Sequence, residues 1–447
     1  MIDKVKARLT EPTAKGLAAA VSRAIGDGAL LPGGKLPPIR TVATRLSLSP
    51  TTVSSAWQLL ARSGAIHSDG RRGTVVAQPR ATGPGRYRQA LHHRAAFRLD
   101  LATGVPDPLL LPDLGPALRR LHSTVPTSYL DEPVLPALEE ALRGTWPFPA
   151  ERIAVLDGAM DAMDALASAQ LRLGDRAVVE NPCFPPLLDL LDALGVEVIG
   201  VGLDEAGPLP DQLTDALAQR PAAVFLQPRA HNPTGASWTH QRAKELAEVL
   251  ARAPGTTVIE DDSAGDICAT GLVSLGTWLP EQVVHIRSFS KSHGPDLRIA
   301  AVGGPAARID PVLERRLLGQ GWTSRLLQHL LLDLLTAPDS IATVATARRE
   351  YARRRRLITG ALRKTGHDVF DGDGINVWLP VRDEQAALIS LASAGIGAAG
   401  GTGFMTGPPT GHRPHIRITV GLVCSGHAAV AATLARAAET GAQRAPR

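Results

Sequence analysis

The 447-residue sequence predicts two unequal parts: a small module of three helices and a β-hairpin, then a large α/β domain with a mostly parallel central sheet and a smaller α+β subdomain at its C-terminal end. Three observations predict this. The chain is too long for one small domain and long enough to bury a sizeable core. Strand-like runs alternate with helical stretches between about 150 and 304, the pattern of parallel strands joined by helical crossovers. Charge is also unevenly divided: residues 1 to 98 carry 16 lysines and arginines against 4 acids, whereas the remainder carries 32 against 39. The N-terminal part is the one suited to meet a polyanion, and the rest has the surface charge of an acidic metabolic enzyme.

Composition narrows the class. With 44% hydrophobic and 20% charged residues the chain reads as a water-soluble globular protein. Its opening, MIDKVKARLT, has no apolar run after the charges, and no stretch approaches the roughly 18 apolar residues of a membrane span, so a cytoplasmic location is expected. Cys183, Cys268 and Cys424 lie far apart, which suits neither a disulfide framework nor a zinc site; they read as reduced thiols, and no metal is expected.

In the first helix Leu17, Val21 and Ile25 recur at helical spacing, and in the second Ile39, Val42, Ala43 and Leu46 do the same. Ser49 is a good N-cap ahead of Pro50 for the third, in which Val53, Trp57 and Leu60 face inward and Gly64 is placed to end the helix. Residues 65 to 68 (AIHS) and 74 to 77 (TVVA) read as strands around the basic turn DGRRG. The Pro-, Gly-, Arg- and His-rich stretch that follows reads as a linker. The expected division is a head over 1 to 78, a linker over 79 to 98 and a large domain over 99 to 447, with its small subdomain at about 365 to 440. Within the large domain RAVVE, AAVFLQP, TTVIEDD and VVHIRSF are the strand-like runs; 158 to 172, 239 to 252 and much of 310 to 364 are helical.

The third helix, over 50 to 63, carries Thr51, Thr52, Ser55, Gln58 and Arg62 away from its apolar stripe. A helix presenting such hydrogen-bonding groups can enter a major groove while Arg40, Arg71 and Arg72 hold phosphates. Polar residues cover any solvent-facing helix, but three helices, a hairpin and a local basic excess together favour DNA. Residues 15 to 77 resemble the winged helix-turn-helix of the GntR family, through GALLPGGKLPP from Gly28 to Pro38, through the run from Ile39 to Ile66, and through the wing. Pro50 stands where family members commonly carry a basic residue that contacts DNA.

The strongest chemical signal is SFSKSHGPDLR, Ser288 to Arg298, after a strand-like run. Lys291 would supply an amine for a Schiff base, with Ser288 and Arg298 as phosphate contacts, although a lysine flanked by serines alone also reads as a surface loop. The acidic cluster Glu260-Asp261-Asp262 ends another strand, and a carboxylate beside a pyridine nitrogen keeps it protonated; Asp261 is assigned that part. In AHNPTG, Asn232 could donate to a ring oxygen or make an ordinary Asn-Pro turn. Asp157-Gly158-Ala159-Met160 opens a helix whose free N–H groups suit a phosphate, or is a plain cap. Phe184 could stack on a ring or sit in the core.

In this order these pieces resemble the fold-type I aminotransferases over essentially all of residues 99 to 440, and with the GntR-like head they are similar to the MocR subfamily of regulators. The resemblance implies pyridoxal 5'-phosphate, with Lys291 as the aldimine lysine, Asp261 at the ring nitrogen, Asn232 at the ring oxygen and Phe184 stacking. It puts Gly158, Ala159, Met160, Ser288 and Arg298 at the phosphate, Tyr129 at the phosphate of the neighbouring subunit, and Arg417 on a substrate carboxylate, where the plainer reading is an exposed strand arginine. The chain departs from the pattern at Ser263, where a tyrosine usually reaches the ring oxygen, and at Val134 and Glu139, usually glycine and arginine. The implied assembly is a homodimer with two heads on two half-sites of operator DNA and no membrane. The expected function is a regulator sensing a small amine or amino acid; the alternative is a working aminotransferase with an attached DNA-binding domain. Loss of the cofactor is disfavoured because lysine and acidic partner are both retained.

Overall fold

The computed structural model describes residues 2–26, 29–31, 33–62, 66–69, 73–76, 85–86, 97–121, 128, 131–407 and 413–440. The head has helices Ala14–Gly26, Ile39–Leu46 and Pro50–Arg62, preceded by a short helix Ile2–Lys6 that periodicity did not reveal. Leu17, Val21, Val53 and Leu60 are fully buried and Trp57 nearly so, with Val5 added from the extra helix. The Ser49 hydroxyl accepts from the Thr52 amide at 2.9 Å, the cap its position predicts. The hairpin pairs Ile66–Asp69 with Gly73–Val76, one residue closer to the turn than expected on both strands. Gly73, at φ +84°, takes a backbone conformation that lets the ladder run on to the Asp69–Gly73 pair. Gly64 lies outside the described residues.

The large domain is built on an eight-stranded sheet in the order Arg152–Leu156, Ala300–Gly304, Val283–Ser288, Thr257–Asp262, Ala223–Leu226, Arg176–Asn181, Glu197–Asp204 and Gly207–Pro208. It is parallel from Val283–Ser288 through Glu197–Asp204, and Ala300–Gly304 runs antiparallel to both its neighbours. Because side chains alternate along a strand, each strand feeds both faces. Val155, Val178, Val224 and Val258 enter one core, and Leu156, Val179, Phe225 and Ile259 enter the other. The central strand Thr257–Asp262 is buried at every position.

Helices Ala306–Leu317, Arg325–Thr336 and Pro338–Lys364 lead into the terminal subdomain, whose sheet has the order Asn376–Pro380, His415–Thr419, Ala399–Gly400. Leu99–Asp100 pairs with Ile396–Gly397, fastening the start of the large domain to the terminal subdomain. The long helix is fixed by Arg354, which donates to Asp107 at 2.7 Å. Among the described residues no single helix is long and apolar enough to cross a membrane; the one bent pair with that overall composition, Arg325–Thr336 with Pro338–Lys364, turns Leu331, Leu334 and Ala347 into the core.

Candidate functional site

Every assigned group of the large domain except Tyr129, Arg298 and Arg417 stands in or just after a segment leaving the carboxyl edge of the main sheet, the edge at which open α/β sheets bind ligands. Asp157 and Gly158 follow Arg152–Leu156, Phe184 follows Arg176–Asn181, Asn232 follows Ala223–Leu226, Asp261 and Ser263 lie at the end of Thr257–Asp262, and Ser288 and Lys291 lie at the end of Val283–Ser288.

Three adjacent carboxylates are buried at the end of the central strand, and their partners distinguish them. Glu260 accepts from Ser274 and the Leu275 amide, both at 2.7 Å, and bonds His285 Nδ1 at 2.8 Å. Asp262 receives both arms of Arg229 at 2.8 Å. Burial alone would raise the Asp262 pKa, but the guanidinium holds it below the usual range. Asp261 points to the other face, as strand alternation requires, and Gln227 Nε2 donates to its Oδ2 at 2.8 Å. Asp261 Oδ1 is buried and has no hydrogen-bond partner. Burial pushes its carboxyl up to about 6, against the pull of Lys291 and Gln227. A buried acceptor left open in this way is costly unless an outside donor meets it.

Lys291 Nζ donates to the Ser263 carbonyl at 3.0 Å. Its amine end is enclosed, and burial lowers its pKa, with Asp261 pulling the other way. An amine so placed reaches its neutral, nucleophilic form more readily than a surface lysine. Asn232 Oδ1 accepts from Arg417 Nη1 at 3.3 Å and Asn376 Nδ2 at 3.4 Å, which orients the Asn232 amide N–H group away from them. Arg417, only 2% exposed, also donates to the Ala102 carbonyl and lies over the Phe404 ring, so the exposed-arginine reading does not hold.

Gly158 caps helix Ala159–Gln170 at φ +107°, and a Cβ there would stand 3.0 Å from Arg298. Arg298 is itself left-handed at φ +49° and donates to the Asp157 carbonyl at 3.2 Å. Gly158, Ala159 and Met160 thus begin a helix N-terminus with a guanidinium beside it, an arrangement that attracts phosphate. Ser288 is buried, and its hydroxyl accepts from Ser290 at 3.4 Å. Phe184 is half-buried at the start of helix Pro185–Ala193 and borders the same small cavity as Asp261, Gln227 and His231. Of the two further departures, Val134 packs in the core and Glu139 pairs with Arg143 at 2.7 Å. Tyr129 lies outside the described residues.

On the head, Arg40, Thr51 and Gln58 are exposed and Ser55 is half-buried on Pro50–Arg62. Thr52 is engaged with Ser49, hydroxyl to hydroxyl at 2.8 Å, in the helix cap. Arg62 closes the helix, and Arg71 and Arg72 fall outside the described residues. Sequence reasoning missed Gln227, Arg229, Glu180, His231 and Asn376; His231 lies within AHNPTG, and Glu180 and Gln227 lie within strand-like runs, but no local pattern gave them a part in the site.

Comparison with known proteins agrees with both parts. A family model described as aminotransferase class I and II matches residues 98–431, and one described as bacterial regulatory proteins, gntR family, matches 13–76. The vitamin B6 salvage pathway transcriptional repressor PtsJ of Salmonella typhimurium is 36% identical over 89% of this chain and 92% of its own. The pyridoxine biosynthesis transcriptional regulator PdxR of Corynebacterium glutamicum is 28% identical over 88% and 90%. Among solved structures, the alpha-aminoadipate aminotransferase LysN of Thermus thermophilus, complexed with N-(5'-phosphopyridoxyl)-L-leucine, aligns at TM-score 0.68 and 22% identity over 79% of this chain and 94% of that one, a likeness of fold. A matched aminotransferase domain over most of the chain, a matched gntR head and a full-length regulator as relative mean that this chain belongs to the MocR-type regulators of the gntR and class I/II aminotransferase families.

Proposed function

We propose that the protein is a transcription regulator that binds operator DNA as a homodimer through its head and holds pyridoxal 5'-phosphate in its large domain, where a small amine or amino acid changes the DNA-bound state. The observation that carries the cofactor part is the open, buried Asp261 Oδ1 beside the enclosed amine of Lys291. The residues fit the group: Asp261 would face its ring nitrogen, the Asn232 amide its ring oxygen, Phe184 one ring face, and Gly158, Ala159, Met160, Ser288 and Arg298 its phosphate. Tyr129 is assigned to the phosphate of the neighbouring subunit. When bound, pyridoxal phosphate supplies an aldehyde that condenses with amines and a ring that withdraws electrons. The chain's own part is to hold Lys291 in a low-pKa setting, to keep an anion under the ring nitrogen, and to offer Arg417 to a carboxylate.

The regulatory part is supported by the relatives, whose names are those of transcriptional regulators, and by exposed Arg40, Thr51 and Gln58 on the head. Ser263 supports a sensing site over a fast enzyme, since its short side chain stands where a tyrosine would tune the ring oxygen. Two relatives are named for vitamin B6 salvage and pyridoxine biosynthesis, which favours a second reading in which pyridoxal phosphate itself is the signal. The deciding experiment measures affinity for operator DNA with cofactor-free protein, with pyridoxal phosphate alone, and with added amines and amino acids, while following keto-acid release. An affinity that changes with an amine supports the first reading, and one that changes with cofactor alone supports the second. Rapid turnover with DNA affinity indifferent to every addition makes the protein an aminotransferase with a DNA-binding head.

A further inference from the structure

We infer that Gln227 is the positioning residue that sets Asp261 and Asn232 together for one ring, with Glu180 holding Gln227 from behind. Gln227 follows strand Ala223–Leu226, whose Leu226 pairs with Glu260, so it stands level with Asp261. Its Nε2 donates to Asp261 Oδ2 at 2.8 Å while its Oε1 accepts from the backbone N–H of Asn232 at 2.7 Å. A carboxylate oxygen on one side and an N–H on the other permit one orientation of the side-chain amide. The backbone N–H of Gln227 donates to Glu180 Oε2 at 2.9 Å, and that oxygen lies 3.4 Å from His231 Nε2. Gln227, Glu180, His231, Asn232 and Asp261 are all buried, so water does not substitute for a lost partner.

The arrangement has two consequences for the site. Because Gln227 occupies Asp261 Oδ2, the open oxygen is Oδ1 and the carboxylate cannot rotate without breaking a buried bond. Because the same amide clasps the Asn232 backbone, the contacts to ring nitrogen and ring oxygen share one reference point. Among the described residues, the charged or titratable groups acting on Asp261 are Lys291, Asp262, His285, Glu180 and the buried thiol of Cys183. Burial raises Glu180 well above the carboxylate range, with the backbone N–H of Gln227 pulling the other way.

This inference rests on the cofactor reading above, and the test separates the two. The full-length protein is loaded with pyridoxal phosphate, and three quantities are read: cofactor affinity, the pH midpoint of the visible absorption band, and thermal melting of the cofactor-free form. Gln227→Met removes both hydrogen bonds at similar volume; affinity should fall by about tenfold or more. Asp261 then keeps its proton to higher pH, the ring nitrogen loses its anion, and a ring without that positive charge moves the band's midpoint up by on the order of one pH unit. Gln227→Glu keeps the shape, and its carboxyl can donate to Asp261 only while protonated. Relative to wild type at each pH it should bind nearly normally while that carboxyl holds its proton and fall toward Gln227→Met as the pH rises through the carboxyl's own burial-raised midpoint, a signature that a merely space-filling residue does not produce. In an Asp261→Asn background Gln227→Met should change affinity less than in wild type. Unchanged affinity and midpoint in folded Gln227→Met, or an equal loss in the Asp261→Asn background, overturns the inference. If Gln227→Met does not fold, a Gln227→Glu variant that follows wild type at every pH overturns it. A wild type that takes up no pyridoxal phosphate overturns the cofactor reading, and the inference with it.

Discussion

The head and the large domain use polar side chains in opposite ways. On the head Arg40, Thr51 and Gln58 stay in water above a small apolar core. At the carboxyl edge of the large sheet Glu180, Gln227, Arg229, Glu260, Asp261 and Asp262 are shut away and bonded to one another or to nearby loops. Exposed groups keep water as a partner until another polyelectrolyte replaces it, so a DNA surface is recognised by what it displays. Buried groups must find partners inside, so a small-molecule site is recognised by the buried group that lacks one. Asp261 Oδ1 is such a group.

The largest expected effect is at Lys291. Lys291→Ala should abolish the visible band of the cofactor-loaded protein, while the affinity of the head for nonspecific duplex at low salt stays within about twofold of wild type. A band that persists would break the assignment; a matching collapse of DNA affinity would show that the two regions do not act separately. Next come two ion pairs. Arg229→Leu leaves Asp262 buried and unpaired and should cost about 3–5 kcal/mol in urea unfolding. Arg45→Ala on the head removes a pair to Asp3 at 3.8 Å whose side chains are 62% and 85% exposed, and should cost at most about 1 kcal/mol. Similar losses at the two sites would erase the contrast between the regions.

DNA readout gives a smaller effect that separates roles within the head. Gln58→Ala should alter base preference by about 1–3 kcal/mol at one position. Arg40→Ala should weaken binding to all sequences alike and shallow the salt dependence by about one unit of slope. Equal, sequence-independent losses from both would remove base reading from Pro50–Arg62.

A last contrast is in pH dependence. Burial lowers His231 to about 3 and His293 to about 4. A histidine whose folded pKa is depressed binds fewer protons folded than unfolded, so its stabilisation is complete above about 6.5 and is lost as the pH falls toward the depressed value. Asp261, raised from 3.8 to about 6, acts in the reverse sense, its contribution falling as the pH rises through that window. His293→Gln should therefore flatten the fall in unfolding free energy between pH 6.5 and 4 by up to about 1.4 kcal/mol per pH unit. A slope unchanged from wild type would show that His293 is protonated in the folded state.

Much of this architecture could be read from residue order. The apolar periods of Leu17 and Val21, of Val42, Ala43 and Leu46, and of Val53, Trp57 and Leu60 predict the head's three principal helices, and TTVIEDD predicts a strand ending in acids, because such patterns report how one segment buries its own face. The hairpin keeps the expected register but runs one residue closer to the turn on both strands, because the backbone geometry at Gly73, rather than the apolar pattern, sets where pairing stops. Thr52 reads as part of the DNA-facing stripe, yet its hydroxyl is engaged with Ser49.

What the sequence by itself determined was the order of helices and strands, the basic head, and the set of groups that strand ends deliver to one edge: Asp157, Phe184, Asn232, Asp261 and Lys291. All of these follow from local spacing, which a chain carries wherever it folds. Tertiary structure alone decided which of three neighbouring acids is left open, that Arg417 is enclosed beside Asn232 rather than exposed, and that Gln227 ties two assigned groups together. Those outcomes depend on partners such as Asp261, 34 residues from Gln227, and Arg417, 185 residues from Asn232. No periodicity spans such separations; burial selects the partners only once the sheet and the terminal subdomain have closed on each other.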